Sequence, residues 1–332
     1  MPTHLHSNGT VTNDAAPTAE RFVVTNEYQR FTEFCAACRR YRYIGLCYGT
    51  PGVGKTLSAR HYADWDRIAA QWPVRDADTA ALQVLQESQT VFYTPAVVNS
   101  PGQIARDLAR LRYELRSLRV EERERQQRLE LEPLQQEERA AEAERQRRLL
   151  TEVDWYAAEA QEAAALPVSE YARLARAYAQ ANAQIADPTT LVLIDEADRL
   201  KMAALEQVRD IFDQGQIGVI LIGMPGLEKR LARYPQLYSR VGFVHAFRPL
   251  TATHVRELLR QQQWRPAGVS FPLEALADEE ALAAIIRSTG GNFRLLDRLL
   301  AQIARLLEIN ELATITPAVV AAARESLVLG AA

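Results

Sequence analysis

Residues 49–56 read Gly49-Thr50-Pro51-Gly52-Val53-Gly54-Lys55-Thr56, a complete Walker A phosphate loop. The apolar run Tyr43-Ile44-Gly45-Leu46-Cys47-Tyr48 precedes it and a helical stretch from Leu57 to Trp65 follows. That order suits the chemistry. The glycines let consecutive backbone N–H groups turn inward around a polyphosphate, and the helix N-terminus favours negative charge. Lys55 then reaches the β- and γ-phosphates, and the Thr56 hydroxyl takes a coordination place on Mg²⁺. Such a chain is expected to bind ATP with Mg²⁺.

A second half of the site lies far downstream. Leu191-Val192-Leu193-Ile194 is a continuous aliphatic run, the pattern of a central parallel strand buried on both faces. It ends in Asp195-Glu196. Asp195 is placed to hold the Mg²⁺ shell, the Walker B role, and Glu196 to orient and polarise the attacking water. Two acids there would also suit the start of a helix, expected over Ala197 to Gln207. Beside a Walker A loop the pair points to the hydrolytic, added-strand class of phosphate-loop proteins, and so to ATP hydrolysis rather than phosphate transfer.

Composition narrows the partners. A chain of 332 residues, 48% hydrophobic, buries one large or two modest cores. Net charge is −3, so contact with nucleic acid must come from a local basic patch. No apolar run approaches 18 residues and no signal peptide stands at the start, which predicts a cytoplasmic protein without a membrane span. Cys35 and Cys38 form a CxxC pair, but no second Cys/His pair at zinc spacing follows. They share a helical face with Phe31 and Phe34, which favours core packing over metal binding.

Along the chain, residues 1–20 are polar and aperiodic and read as a disordered tail. A helix is expected over 25–40. The strand to Tyr48 follows, then the loop and its helix, and a second strand from Thr90 towards Val98. Ser100-Pro101 caps a helix opening at Gly102. Gly218 to Ile222 and Val241 to Phe247 complete five strands. Strands alternating with helices predict a parallel α/β sheet covered by helices over residues 21–250. From Thr251 to 332 the pattern is helical only, with segments near 252–264, 277–288, 292–308 and 317–328, as in an all-α lid. Residues 112–165 are dominated by Glu, Arg, Gln and Ala, with acids and bases often at i,i+4 spacing. They read as a projecting helical hairpin inserted in the sheet domain, kinked or broken near Pro133. The hairpin is either a partner-binding arm or a solvated helix.

With these motifs in place, the chain resembles an AAA+ ATPase. Gly290-Gly291-Asn292-Phe293-Arg294 resembles the sensor 2 motif of AAA+ lids, which implies that Arg294 contacts the γ-phosphate. The segment Ile222-Gly223-Met224-Pro225-Gly226-Leu227, then Arg230 to Tyr234, then Ser239-Arg240, resembles the transposition regulators TniB, TnsC and Mu B. Secretion-associated ATPases of the ExeA type share a similar strand end. The chain departs from the AAA+ pattern at the sensor 1 position, where Met224 replaces the usual polar residue. A thioether is a poor hydrogen-bond partner for phosphate or water, which puts fast turnover in doubt.

The resemblance implies a homo-oligomer, ring or helical filament, whose sites are completed by a neighbour's arginine. Arg240 takes that role here, with Arg233 and Arg230 as alternatives. It further implies assembly on duplex DNA and recruitment of a transposase, with a target-selection protein as a further partner. On the helix after the second strand, Arg106, Arg110 and Arg116 share one broad face, with Arg112 and Arg119 flanking; they either meet phosphates without reading sequence or, diluted by Asp107 and Glu114, form a solvated helix face. The alternatives are an ExeA-like or helicase-loading ATPase, and a slowly hydrolysing, nucleotide-switched scaffold.

Overall fold

The computed structural model describes residues 22–70, 87–149, 168–260 and 279–327. Five parallel strands form one sheet in the order β2-β3-β4-β1-β5. They are β1 (Ile44–Tyr48), β2 (Thr90–Tyr93), β3 (Leu191–Ile194), β4 (Gly218–Gly223) and β5 (Val241–Ala246). β2, β3 and β4 are buried at every position, as continuous apolar runs covered on both faces must be. β4 lies between β1 and β3, so the strand that enters the phosphate loop and the strand that ends in Asp195 are separated by one added strand. Pairing Leu46 with Leu221, and Leu221 with Ile194, brings the carboxyl ends of all three to one edge.

The described residues divide into two compact units. The first holds residues 31–49 and 55–246, with the whole sheet. Helix α1 (Asn26–Tyr41) buries Phe31, Phe34, Cys35 and Cys38. A Cβ on Gly45 would stand 2.5 Å from the Cys38 sulfur, so the missing side chain lets α1 lie close against β1. All three cysteines are buried and unbonded to one another. Burial pushes the Cys38 thiol up to about 12 and Cys35 well above its ordinary range, as for inert core thiols. Helices α2 (Lys55–Tyr62) and α3 (Trp65–Ala70) follow the phosphate loop.

Helix α4 (Pro101–Leu149) is 49 residues long, roughly 75 Å at the α-helical rise. Its first half carries Ile104, Leu108, Leu111, Leu115 and Leu118 as a buried stripe. Beyond Leu118 the inward positions turn polar, with Glu122 and Gln127 buried instead. Helix α5 (Glu170–Ala183) packs antiparallel against this second half. Gln127 and Asn182 exchange amide hydrogen bonds, and Gln135 donates to the Tyr171 hydroxyl at 3.2 Å.

Three expectations change here. α4 runs unbroken through Pro133, which is exposed among strong helix formers and so costs a single solvent-side backbone bond. The arm therefore continues the helix that leaves β2, and the helix packed back along it, α5, lies beyond the expected 112–165; residues 150–165 of the expected hairpin lie outside the described residues. β2 stops at Tyr93, because Pro95 has no N–H for the ladder. The helix expected from Ala197 is a single 3₁₀ turn (Ala197–Arg199), and α6 (Met202–Gln214) starts after an extended Leu200-Lys201 step.

Short helices α7 (Leu227–Leu231) and α8 (Pro235–Tyr238) connect β4 to β5. The second unit holds residues 22–30, 50–54 and the described residues from 247 onward. Its helices are α9 (Ala252–Arg260), α10 (Glu279–Thr289), α11 (Phe293–Ile309) and α12 (Pro317–Glu325). Leu296, Leu299, Leu300 and Ile303 of α11 pack with Val255, Ile285 and Val320 in one core. Thr316 caps α12 ahead of Pro317. The expected tail 1–20 and segments 261–264, 277–278 and 328 lie outside the described residues. Among the described residues no helix is long and apolar enough to cross a membrane.

Candidate nucleotide site

Gly52 (φ 81°) and Gly54 (φ 105°) hold the loop in backbone conformations that side chains resist. Each glycine serves a different purpose. A Cβ on Gly54 would meet nothing within 4 Å, so its demand is conformational and leaves an open cradle. A Cβ on Gly52 would sit 2.6 Å from Asn292 Oδ1 and 2.8 Å from Arg294 Cβ. In the unit that contains residues 50–54, Asn292 Nδ2 donates to the Pro51 carbonyl at 2.7 Å, and the Arg294 N–H donates to the Gly52 carbonyl at 3.0 Å. Asn292 also caps α11 by accepting the Leu295 N–H. Gly290 and Gly291 make this possible by turning with φ of 54° and 73°. The stretch Gly290–Arg294 is therefore a turn and cap that seats Arg294 beside the phosphate loop.

In the sheet unit, the Thr56 hydroxyl donates to Asp195 Oδ2 at 2.6 Å across 139 residues of sequence. Asp195 is only 3% exposed, and its N–H donates to the Tyr93 carbonyl at 2.8 Å. Lys55 donates to the Gly49 carbonyl at 2.7 Å. Burial lowers its pKa, while Asp195, Glu196 and Asp198 nearby pull the other way. Gly49 in turn donates its N–H to the Gly223 carbonyl, tying the loop to the end of β4.

These groups fit Mg²⁺ and a nucleotide. Thr56 and Asp195 offer two hard oxygens side by side, and Lys55 with the loop N–H groups offers donors to phosphate. Among the described residues no group of three or more His, Cys, Asp or Glu side chains could hold a metal alone. Bound ATP–Mg²⁺ would supply the γ-phosphate as electrophile. In the sheet unit Lys55 stands near Asp195, Glu196 and Asp198, so one cation and three acids gather at the carboxyl edge.

These residues decide the superfamily, and the comparisons agree. Residues 38–231 match the AAA domain family. The chain belongs to that family. A "potential ATP-binding protein" of Staphylococcus aureus is 36% identical over 318 residues, spanning 94% of this chain and 98% of the relative. Among solved structures, the Thermotoga maritima RuvB Holliday junction branch migration motor is 15% identical with a TM-score of 0.48, covering 92% of this chain and 70% of that one. The Aeropyrum pernix ORC1 protein in complex with DNA is 17% identical with a TM-score of 0.45, covering 91% and 65%. Likeness at that distance carries nothing about substrate. The protein is an ATP-binding AAA+ ATPase.

Around this AAA+ core, other candidates are placed less as expected. Arg240 stands just before β5, but its guanidinium is engaged within the chain. Nε and Nη2 bind the Asp213 carboxylate at 2.7 and 2.9 Å, and Nη1 donates to the Gln236 carbonyl at 2.6 Å. Sequence alone could not show that Asp213, at the end of α6, reaches it. Arg230 is likewise spent on the carbonyls of Asp198 and Leu200. Arg233 is exposed.

The five arginines of α4 do not share a role. Arg106 is exposed, and Arg110 is exposed but pairs with Glu114 at 2.9 Å. Arg112 pairs with Asp187 at 2.7 Å, Arg116 donates to the Ala183 carbonyl and Arg119 to the Ser88 carbonyl. Burial lowers the pKa of Arg119. The last three fasten α4 to its neighbours, so the broad face expected from Arg106, Arg110 and Arg116 loses Arg116.

Sequence reasoning missed Asp198. Its Oδ2 accepts the Met224 N–H at 2.7 Å, so the end of β4 is held through the backbone of the residue whose side chain lacks a polar group. The repeat of an acid three residues after Asp195 was the available signal.

Proposed function

We propose that this ATPase regulates DNA transposition, assembling on duplex DNA in its ATP state and recruiting or activating a transposase. The reading rests on the resemblance of residues 222–240 to the transposition regulators. The observation that carries its catalytic part is the Thr56–Asp195 hydrogen bond, which unites the two halves of the site beside Glu196. Asp195 and Thr56 hold Mg²⁺, Lys55 and Arg294 contact the phosphates, and Glu196 accepts the proton of the attacking water. The DNA-facing arginines reduce to Arg106 and Arg110, which are exposed on the helix that follows β2. The arginine acting on a neighbour's nucleotide becomes Arg233 first. Arg240 would have to leave Asp213 to serve.

A second reading is supported by Met224, whose thioether cannot assist a water or phosphate. On that reading the protein is a nucleotide-switched scaffold that hydrolyses slowly. ATP turnover measured with and without duplexes of unrelated sequence separates the two. Stimulation by DNA supports the regulator, and tight ATP binding with negligible turnover on DNA supports the scaffold.

A further inference from the structure

The acid assigned to water activation has an unusual backbone. Glu196 adopts φ 50°, ψ 41°, the left-handed region, which non-glycine residues occupy at a cost and only where the surroundings over-determine it. Those surroundings can be traced. The Asp195 N–H is held by Tyr93 at the end of β2. On the other side, the Arg199 N–H closes the 3₁₀ turn onto the Glu196 carbonyl at 2.9 Å. Arg199 is itself gripped twice by the loop after β2. Its Nη1 donates to the Pro95 carbonyl at 3.0 Å, and its own carbonyl accepts the Asn99 Nδ2 at 3.1 Å. Asn99 Nδ2 also donates to the Ala96 carbonyl at 2.9 Å, which closes its loop on itself.

The geometry points to Arg199 and Asn99 as positioning residues for hydrolysis: together they lock the 3₁₀ turn that keeps Glu196 left-handed and so aim its carboxylate. The side-chain hydrogen bonds of both run to the β2–α4 loop and to the turn itself, so each acts through the Glu196 backbone. The inference rests on Glu196 being the hydrolytic acid, and it adds the β2–α4 loop as the part that sets that acid's orientation. Asp198 and Arg230 restrain the same segment from the β4 side, through the Met224 N–H and the carbonyls of Asp198 and Leu200. The turn is therefore clamped from both neighbouring strand ends, by Arg199 and Asn99 on the β2 side and by Asp198 and Arg230 on the β4 side.

Variants Arg199→Ala, Arg199→Lys, Asn99→Ala and Asn99→Asp of the 332-residue chain are compared with Glu196→Gln for ATP affinity, kcat and thermal midpoint. Asn99→Asp keeps the shape but removes the donor, so it should match Asn99→Ala in kcat. Both, and Arg199→Ala, should lose roughly tenfold in kcat, the scale of one lost charge-assisted or orienting hydrogen bond, with ATP affinity unchanged. Arg199→Lys, which can still reach one carbonyl, should recover part of that loss. Wild-type kcat in Arg199→Ala and Asn99→Asp, while Glu196→Gln is inactive, overturns the proposal. Parallel loss of kcat, ATP affinity and thermal midpoint overturns it too, because that is general unfolding. An active Glu196→Gln would instead overturn the assignment of the acid itself.

Discussion

The carboxyl edge of the sheet and the outer half of α4 are both rich in charge, yet they treat it oppositely. At the sheet edge, side chains tie together the ends of different strands: Thr56 with Asp195, Asp198 with Met224, Arg199 with Pro95. In the arm beyond Leu118, described hydrogen bonds join α4 to its own next turn or to the one facing helix, such as Gln126 with Glu122 and Tyr178 with Glu130. Long-range partners set geometry that chemistry can use. Local pairs at a solvated surface contribute only about 0.3–0.5 kcal/mol each and leave the backbone to dictate shape. The difference makes the sheet edge the place to test for function and the arm the place to test for support.

The largest effects should fall on the edge. Lys55→Ala removes the charge facing the β- and γ-phosphates and should weaken ATP binding by roughly a hundredfold, as expected for losing charge-assisted bonds to phosphate. Calorimetric titration with ATP checks this, and unchanged affinity would sink the phosphate-loop assignment. Glu196→Gln should retain ATP but reduce kcat about 10²–10⁴-fold, the usual worth of a positioned base. Single-turnover assays separate binding from chemistry there.

DNA binding is the next comparison. Replacing Arg106 and Arg110 by Glu should weaken binding equally across unrelated duplexes and flatten its salt dependence by roughly 0.9 in log–log slope per lost phosphate contact. Replacing Arg112, Arg116 and Arg119 should lower thermal stability instead, since those guanidiniums bind the protein's own carbonyls and Asp187. An unchanged DNA affinity in the first variant would refute this path for DNA.

A smaller effect belongs to Asp213. The Arg240 side chain, with help from Arg209, holds its carboxyl below the usual range. A depressed folded-state pKa means the stabilisation is present above the ordinary carboxylate value near 3.9 and is lost as pH falls through the folded value. Asp213→Asn should therefore melt slightly below wild type at neutral pH, and the gap should close on acidification below about pH 4. A gap that persists in acid would assign the effect to packing. If Arg240 serves a neighbour after release, the same variant should raise assembly-dependent turnover.

The smallest effect on turnover tests the arm. Pro133→Ala restores a backbone donor and a better helix former, worth up to about 3 kcal/mol locally. Hydrogen exchange near residue 133 should slow while ATP turnover stays unchanged. A changed turnover would mean the arm communicates with the site, and the comparison above would fail.

The nucleotide loop, the acid pair, the five-strand parallel sheet and the helical character of the second unit were legible in the sequence. Each depends on a local pattern: glycines at fixed spacing, apolar runs ended by acids, helical periodicity. Gly290–Arg294 was legible as a motif, though the reason for both glycines, a left-handed turn that seats Asn292 on Pro51, needed three dimensions. Tertiary structure alone decided which arginines are already engaged. Arg240 and Asp213 are 27 residues apart, and Arg112 and Asp187 are 75 apart, so no local pattern pairs them. It also decided that Pro133 leaves α4 unbroken and that Glu196 stands in a strained turn. A helix tolerates proline where the freed carbonyl faces water, and a left-handed glutamate survives where distant carbonyls clamp its neighbours. Sequence specifies what each segment prefers, and only packing decides which preferences yield.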